Sequence, residues 1–123
     1  MKASITNYRQ SPRKVRLVAN AVKGKTLAVA DVTLAYMIKR GAQPLQKLIK
    51  SAAANASNSG VDTSTLIIKN IEVNKGLVLK RSMPRAMGVA KPINKRTSHV
   101  TVTLATGTPK AKKGKTVKNN SKK

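Results

Sequence analysis

The functional groups that stand out in this sequence are the cationic side chains of lysine and arginine. The chain has 26 Lys and Arg residues against 3 Asp and Glu, a formal net charge of +23 on 123 residues. Self-repulsion on this scale favours a polyanionic partner. The phosphates of a nucleic acid are closely spaced, and each one that a cation neutralises releases condensed counterions. The chemistry is therefore phosphate binding, and nucleic acid is the expected partner.

The cations are clustered rather than spread evenly. Residues 1–25 hold seven basic and no acidic side chains, residues 80–97 hold six and none, and residues 98–123 hold seven and none. Residues 26–79 hold the other six cations and all three acids, as an ordinary folded segment does. Arginine suits bidentate phosphate contacts, whereas lysine acts as a point charge. From the first two clusters we predict the phosphate-binding residues Arg9, Arg13, Lys14, Arg16, Lys23, Lys25, Lys80, Arg81, Arg85, Lys91, Lys95 and Arg96.

Groups for catalysis or metal binding are not assembled in the same way. His99 is the only histidine, and no Asp, Glu or Cys lies near it in the sequence. General acid and base catalysis needs a tuned titratable pair, which the scattered Asp31, Asp62 and Glu72 do not supply. The chain has no cysteine, and its seven glycines are isolated rather than gathered in a phosphate-cradling loop. We therefore expect no enzyme, no cofactor and no metal site, and expect His99 to be a hydrogen-bonding surface residue.

An anionic membrane is the competing polyanion. Membrane-surface helices use Trp or Phe beside their lysines, and this chain has neither residue. No apolar run approaches the roughly 20 residues that span a bilayer. The start of the sequence also lacks the apolar stretch of a secretory signal. We expect no membrane contact and a cytoplasmic location.

Three helices are expected in the first half of the chain. Ser11 and Pro12 suit the cap and first residue of a helix that carries an apolar stripe and stops at Gly24. A second, shorter helix is expected at about 28–37. The third has the longest periodic pattern and should begin near 41–43. Its apolar stripe is Leu45, Leu48, Ile49, Ala52, Ala53 and Ala56.

Beyond Gly60 the pattern becomes extended. Residues 65–73 are rich in β-branched side chains, residues 99–104 alternate strictly, and residues 3–8 form a further short candidate strand. The fold class predicted is α+β, with three helices packed on a small three-stranded antiparallel sheet. Residues 1–106 would form one domain.

Two segments stand apart from that domain body. The basic stretch at about 77–98 contains Pro84, Gly88 and Pro92 and could fold as a long β-hairpin arm with its tip near 84–88, or be a flexible surface loop. Six cations among residues 80–97 favour an arm that probes nucleic acid. The tail at 107–123 is Lys-rich and almost without apolar residues, so it is predicted to be disordered.

An architectural DNA-binding protein is the main alternative to an RNA-binding one. Such proteins bend DNA with β-arms whose proline tips wedge into the minor groove. The chain has few aromatic residues and no Phe or Trp, which argues only against proteins that bind single strands by stacking bases on aromatic side chains. Charge and pattern alone leave both alternatives open.

Four segments together resemble one known family. They are SPRKVRLVANAVKGK at 11–25, SAAANA at 51–56, LKRSMPRAMG at 79–88 and NKRTSHVTV at 94–102, in that order. They are similar to the bacterial-type family of large ribosomal subunit protein number twenty-two, whose hairpin lines the exit tunnel. The resemblance covers about residues 3–104.

That resemblance implies a structural protein of the large ribosomal subunit. Its α+β body would lie on the outer surface of the subunit, bind large-subunit rRNA and support assembly, while the arm lines the polypeptide exit tunnel. The implied partners are rRNA, neighbouring ribosomal proteins and, at the arm tip, the nascent polypeptide, with no homo-oligomer.

Matching the family's arm residue by residue assigns roles within it. Lys80 and Arg81 fall in the outgoing strand, and Lys95, Arg96 and Thr97 in the returning one. The implied tunnel-lining tip is Met83, Pro84, Arg85, Ala86, Met87, Gly88, Val89 and Ala90.

The chain departs from the family at Met87 and Val89, where members often carry cations. The flanking cations remain, so the implied rRNA contact is unaffected. An electrostatic contact of the tip with a nascent chain is what this departure brings into question.

Overall fold

The computed structural model describes residues 1–107. The predicted disorder of the Lys-rich tail at 107–123 lies, apart from Gly107, outside the described residues. Three helices and three strands make up the described part, and the α+β class predicted from the sequence is confirmed.

Helix α1 spans Pro12–Val22 and follows the signals at its two ends. Ser11 is extended and Pro12 occupies the first turn, where a missing N–H costs nothing. Beyond the helix Gly24 has φ of +80°, and its N–H donates to the carbonyl of Ile68 at 2.9 Å. That left-handed turn carries the chain from α1 towards the sheet.

Helix α2 spans Leu27–Ala35, so the prediction of 28–37 found the helix but ended it two residues late. The last turn tightens, because the N–H of Met37 donates to Leu34 rather than one residue earlier. Helix α3 spans Ala42–Asn58 as predicted, and Gly60 follows it with φ of +75°. Within residues 1–107 no helix is long and apolar enough to cross a membrane.

The sheet is antiparallel with strand order β1-β3-β2. Strand β1 spans Lys2–Tyr8, β2 spans Leu66–Pro84 and β3 spans Ala90–Thr106. All three predicted strands are confirmed, and the second and third are much longer than the predicted segments because they continue into the arm. Strand β3 is central, and its side chains point alternately to the two faces of the sheet. Those buried in the core are Val100, Val102 and Leu104.

The core lies between the helices and one face of the sheet and is aliphatic. Ala52 and Ala56 of α3 are fully buried, and such small side chains allow α3 to approach its neighbours closely. Burying one Val, Leu or Ile fully stabilises a fold by roughly 1.5–3 kcal/mol, so the cluster supplies the main favourable term. Its remaining members are Val15, Val18, Ala19, Val22, Ala30, Leu34, Ala42, Leu45, Leu48, Ile49, Leu66, Ile68, Ile71, Val73, Val100, Val102 and Leu104.

The arm predicted at about 77–98 is a β-hairpin formed by the far ends of β2 and β3. Their pairing continues from Val78 opposite Arg96 to Pro84 opposite Ala90, a length of about 20 Å at roughly 3.4 Å per residue. The N–H of Arg85 donates to the carbonyl of Val89 at 2.9 Å and closes the turn at the tip. The arm therefore reaches beyond the body as a thin two-stranded ribbon.

Candidate nucleic-acid interface

The arm leaves the body at a bulge in β2. Between Lys75 and Val78 the register shifts, and the hydroxyl of Thr97 donates to the carbonyl of Leu77 at 2.7 Å. A Cβ on Gly76 would collide with Oγ1 of Thr97 and lie 3.1 Å from Nε2 of His99. Glycine suits this position because the side chain and backbone of Thr97 approach it closely. The bulge bends β2 where the arm leaves the body.

A basic groove lies beside this bulge. Strand β1 ends at Tyr8 opposite Ser98, so residues 94–97 of β3 have a strand on one side only. The loop before α1 and the loop before α3 close the other side, and the groove encloses about 790 Å³. We name it the root groove; it is lined by Arg9, Gln10, Ser11, Lys14, Arg40, Leu79, Asn94, Lys95, Arg96 and Thr97.

The root groove holds five cations and no carboxylate among its lining residues. A concave surface lined by charges of one sign concentrates the electric field and attracts counter-ions. Within residues 1–107 the one ion pair joins Lys50 to Asp31 at 3.4 Å, so no groove cation is neutralised by the described protein. The groove is therefore a concave surface whose charged lining residues are all cations.

Four of the five groove cations were predicted from the sequence, and Arg40 was missed. Its loop is held in place because the Tyr8 hydroxyl donates to the Arg40 carbonyl at 3.3 Å. Gly41 packs against Gln10, whose Oε1 would lie 3.0 Å from a Cβ at that position. The sequence signal was the short run Lys39-Arg40 before the third helix, in a segment that otherwise looked like ordinary fold.

None of the remaining predicted cations of the first cluster lines the root groove. Lys14 and Lys23 lie about 14 Å apart along the axis of α1 at roughly 1.5 Å per residue. Lys25 donates from Nζ to the Thr33 hydroxyl at 3.2 Å and is directed towards α2. Arg13 and Lys23 are exposed. Phosphate contact at Lys23 and Lys25 stays a prediction, and it would have to involve a different stretch of nucleic acid.

Arg16 has a structural role that the sequence did not reveal. Its Nε and Nη2 donate to the carbonyl of Val73 at 3.2 and 2.8 Å. These are the donors that a side-on bidentate contact with phosphate would use. The predicted phosphate contact of Arg16 would therefore have to use the outer Nη1.

The arm carries the other predicted cations, all of them exposed. Arg81 donates from Nη1 to the carbonyl of the preceding residue at 2.8 Å. At the tip Met87 has φ of +61° and is 98% exposed. The positions implied to line a tunnel are Met83, Pro84, Arg85, Ala86, Met87, Gly88, Val89 and Ala90, and all of them are exposed.

Titratable groups outside the basic surface make local contacts. Nδ1 of His99 accepts the N–H of Asn7 at 3.2 Å, so the prediction of a hydrogen-bonding histidine is confirmed. Nε2 of Gln46 donates to Asp31 at 2.8 Å, and this hydrogen bond, with a smaller effect of Lys50, lowers the pKa of Asp31. Among residues 1–107 no three His, Cys, Asp or Glu side chains are grouped as metal ligands.

Comparison with known proteins finds relatives that match most of the chain. The family model for ribosomal protein L22p/L17e matches residues 3–105. Large ribosomal subunit protein uL22 of Mesoplasma florum is 50% identical over 105 residues, which are 85% of this chain and 94% of that protein. The protein of the same name from Pelobacter propionicus is 48% identical over 104 residues, covering 84% and 94% of the two chains. That from Myxococcus xanthus is 47% identical over 106 residues, covering 84% and 93%.

The matched region includes the body, the root groove and the whole arm. Proteins of this family are structural, non-enzymatic components of the ribosome, and their partners are rRNA and other ribosomal proteins. The chain therefore belongs to the ribosomal protein L22p/L17e family and is a structural, non-enzymatic protein of the large ribosomal subunit, and so of the cytoplasm.

Proposed function

We propose that this protein binds large-subunit rRNA through the root groove and the arm, that it supports assembly of the subunit, and that its arm lines the polypeptide exit tunnel. The observation that carries the proposal is the root groove, where five cations line one concavity that contains no acid. Phosphate contacts of this kind position RNA and recognise its shape rather than its sequence.

RNA in the root groove would contact both the body and the base of the arm. Lys95 and Arg96 belong to both, since they lie in β3 at the point where the arm begins. Arg9 and Arg40 come from loops of the body. RNA in the groove would therefore contact body and arm together and fix the angle between them, which is the contribution to assembly that we propose.

The exposure of the arm supports its insertion into the subunit. Residues 79–96 are all exposed in the isolated chain. A two-stranded hairpin is marginally stable on its own in water, so an arm of this length gains order from its surroundings. The placement in the exit tunnel rests on the family resemblance of residues 79–88 and 94–102, and it makes the nascent polypeptide a proposed partner at the tip.

The alternative function to be tested is that of an architectural DNA-binding protein. It requires affinity for duplex DNA comparable to that for RNA, and a dimer that bends the DNA from two sides. We propose instead a monomer that prefers folded RNA.

A competition experiment separates the two. The full chain is bound to a labelled large-subunit rRNA fragment at about 0.15 M salt and challenged with unlabelled rRNA or duplex DNA. We expect rRNA to compete about tenfold or more better than DNA. Equal competition, together with a dimer in sedimentation equilibrium, would overturn the proposal in favour of the DNA-binding alternative.

A further inference from the structure

The two faces of the arm differ in chemistry. In an antiparallel pair the directly opposite residues share a face, and faces alternate along each strand. One face, named here the mixed face, carries the pairs Leu79–Lys95, Arg81–Ile93 and Met83–Lys91. The other, named the small face, carries the pairs Val78–Arg96, Lys80–Asn94, Ser82–Pro92 and Pro84–Ala90.

Each pair on the mixed face joins one cation to one aliphatic side chain. The cations alternate between the strands, so positive charge continues along the whole face. Ile93 lies diagonally between Leu79 and Met83, within reach of both. These three are 38, 37 and 45% exposed, against 98% for Met87 at the tip, so a larger part of each is shielded from solvent. The mixed face therefore offers continuous charge for phosphates and a continuous aliphatic strip for ribose and base surfaces.

The outer half of the small face carries neither continuous positive charge nor a continuous aliphatic strip. Ser82, Pro84, Ala90 and Pro92 carry no charge and have short side chains. Ser82, Ala90 and Pro92 line a shallow hollow of about 430 Å³, and Lys80 and Arg81 supply the rest of its lining. Because counterion release depends on cations, RNA laid against this half would gain little.

We propose that the arm lies against RNA with its mixed face and leaves the outer half of its small face uncovered in the assembled subunit. The inference rests on the proposed function and deepens it by assigning each face of the arm. If the arm lines the exit tunnel, Ser82, Pro84, Ala90 and Pro92 form the wall that faces the lumen. A wall without charge or large side chains would hold a passing polypeptide only weakly.

The chain has no cysteine, so a single introduced thiol reports on one position. Ile93→Cys and Leu79→Cys probe the mixed face, and Ser82→Cys and Ala90→Cys probe the small face. Each full-length variant is assembled into large subunits, and maleimide alkylation of this chain is followed by mass spectrometry in the free and assembled states. Two positions on each face guard against an effect of one substitution alone.

We expect the free variants to react at similar rates, since all four sites are exposed. In assembled subunits the thiols at 79 and 93 should react about tenfold or more slowly, while those at 82 and 90 should stay within about threefold of the free chain. Equal protection of both faces, or protection of the small face alone, would overturn the face assignment. Failure of the unmodified chain to co-sediment with the subunit would instead overturn the function on which the assignment rests.

Discussion

Arg16 of α1 donates two hydrogen bonds to the main-chain carbonyl of Val73 in β2, at 3.2 and 2.8 Å. The contact joins a helix to the edge strand from which the arm extends, across 57 residues of sequence. One of the cations that looked like a phosphate ligand therefore helps to hold the body together.

Replacing this arginine tests its structural role. Arg16→Ala should lower the free energy of unfolding by about 1 kcal/mol, below the roughly 1.5–3 kcal/mol of hydrogen bonds to charged groups, because the side chain is largely exposed. Urea unfolding of the full chain measures the change. Arg13→Ala, an exposed cation one turn earlier on α1, is the matched control and should stay within about 0.5 kcal/mol of the parent. Equal losses in the two variants would contradict the assigned role.

Gly76→Ala should destabilise the junction of body and arm. The added Cβ would collide with the Thr97 hydroxyl, and crowding of this kind costs roughly 1–3 kcal/mol. Thermal or urea unfolding provides the measurement. Thr97→Ala removes the colliding oxygen, so the double variant should lose less stability than the sum of the two single variants. Strict additivity would show that the close approach is not what requires glycine.

The lowered pKa of Asp31 should make the free energy of unfolding depend on pH. Its pKa is lowered in the folded chain, chiefly by the hydrogen bond from Gln46. A depressed folded pKa contributes stability above the unfolded pKa, and this is lost as the pH falls through the folded value, below the ordinary 3.8. Unfolding midpoints at about pH 6 and pH 2.5 should therefore differ less in Asp31→Asn than in the parent. An equal difference in Asp31→Asn and the parent would contradict this assignment.

Deleting residues 82–90 should leave the body folded and still incorporated into the subunit. Every deleted residue is exposed, so the core loses nothing. Circular dichroism and co-sedimentation measure folding and incorporation, and the dimensions of the tunnel in the reconstituted subunit should change. A subunit with unaltered tunnel dimensions would count against the tunnel placement of the arm.

Much of the fold was predictable because local signals agree with the tertiary structure. The proline at the start of α1, the periodicity of α3 and the alternation of residues 99–104 each led to the element observed. The hairpin arm at about 77–98 was predicted, but its register and its continuity with β2 and β3 were not, because the exposed arm has no buried face to impose alternation on its sequence. Strand pairing alone sets its register, and pairing is not visible in one sequence.

The candidate site was predictable in part for a related reason. Clustering of charge identified Arg9, Lys14, Lys95 and Arg96, but it could not place Arg40 beside them, because their meeting depends on the loop held by Tyr8. Nor could it separate Arg16 from its neighbours, since the Val73 carbonyl is met only through tertiary packing.

The salt dependence of rRNA binding tests directly whether the root groove holds RNA phosphates. The variant Arg9→Ala/Arg40→Ala/Lys95→Ala removes three groove cations, and Lys2→Ala/Lys47→Ala/Lys69→Ala removes three exposed cations elsewhere with the same change in net charge. The slope of log K against log salt should become shallower by about 2 in the groove variant, at roughly 0.7–0.9 per lost phosphate contact, and by less than about 1 in the control. Equal slopes in the two variants would contradict phosphate binding in the root groove.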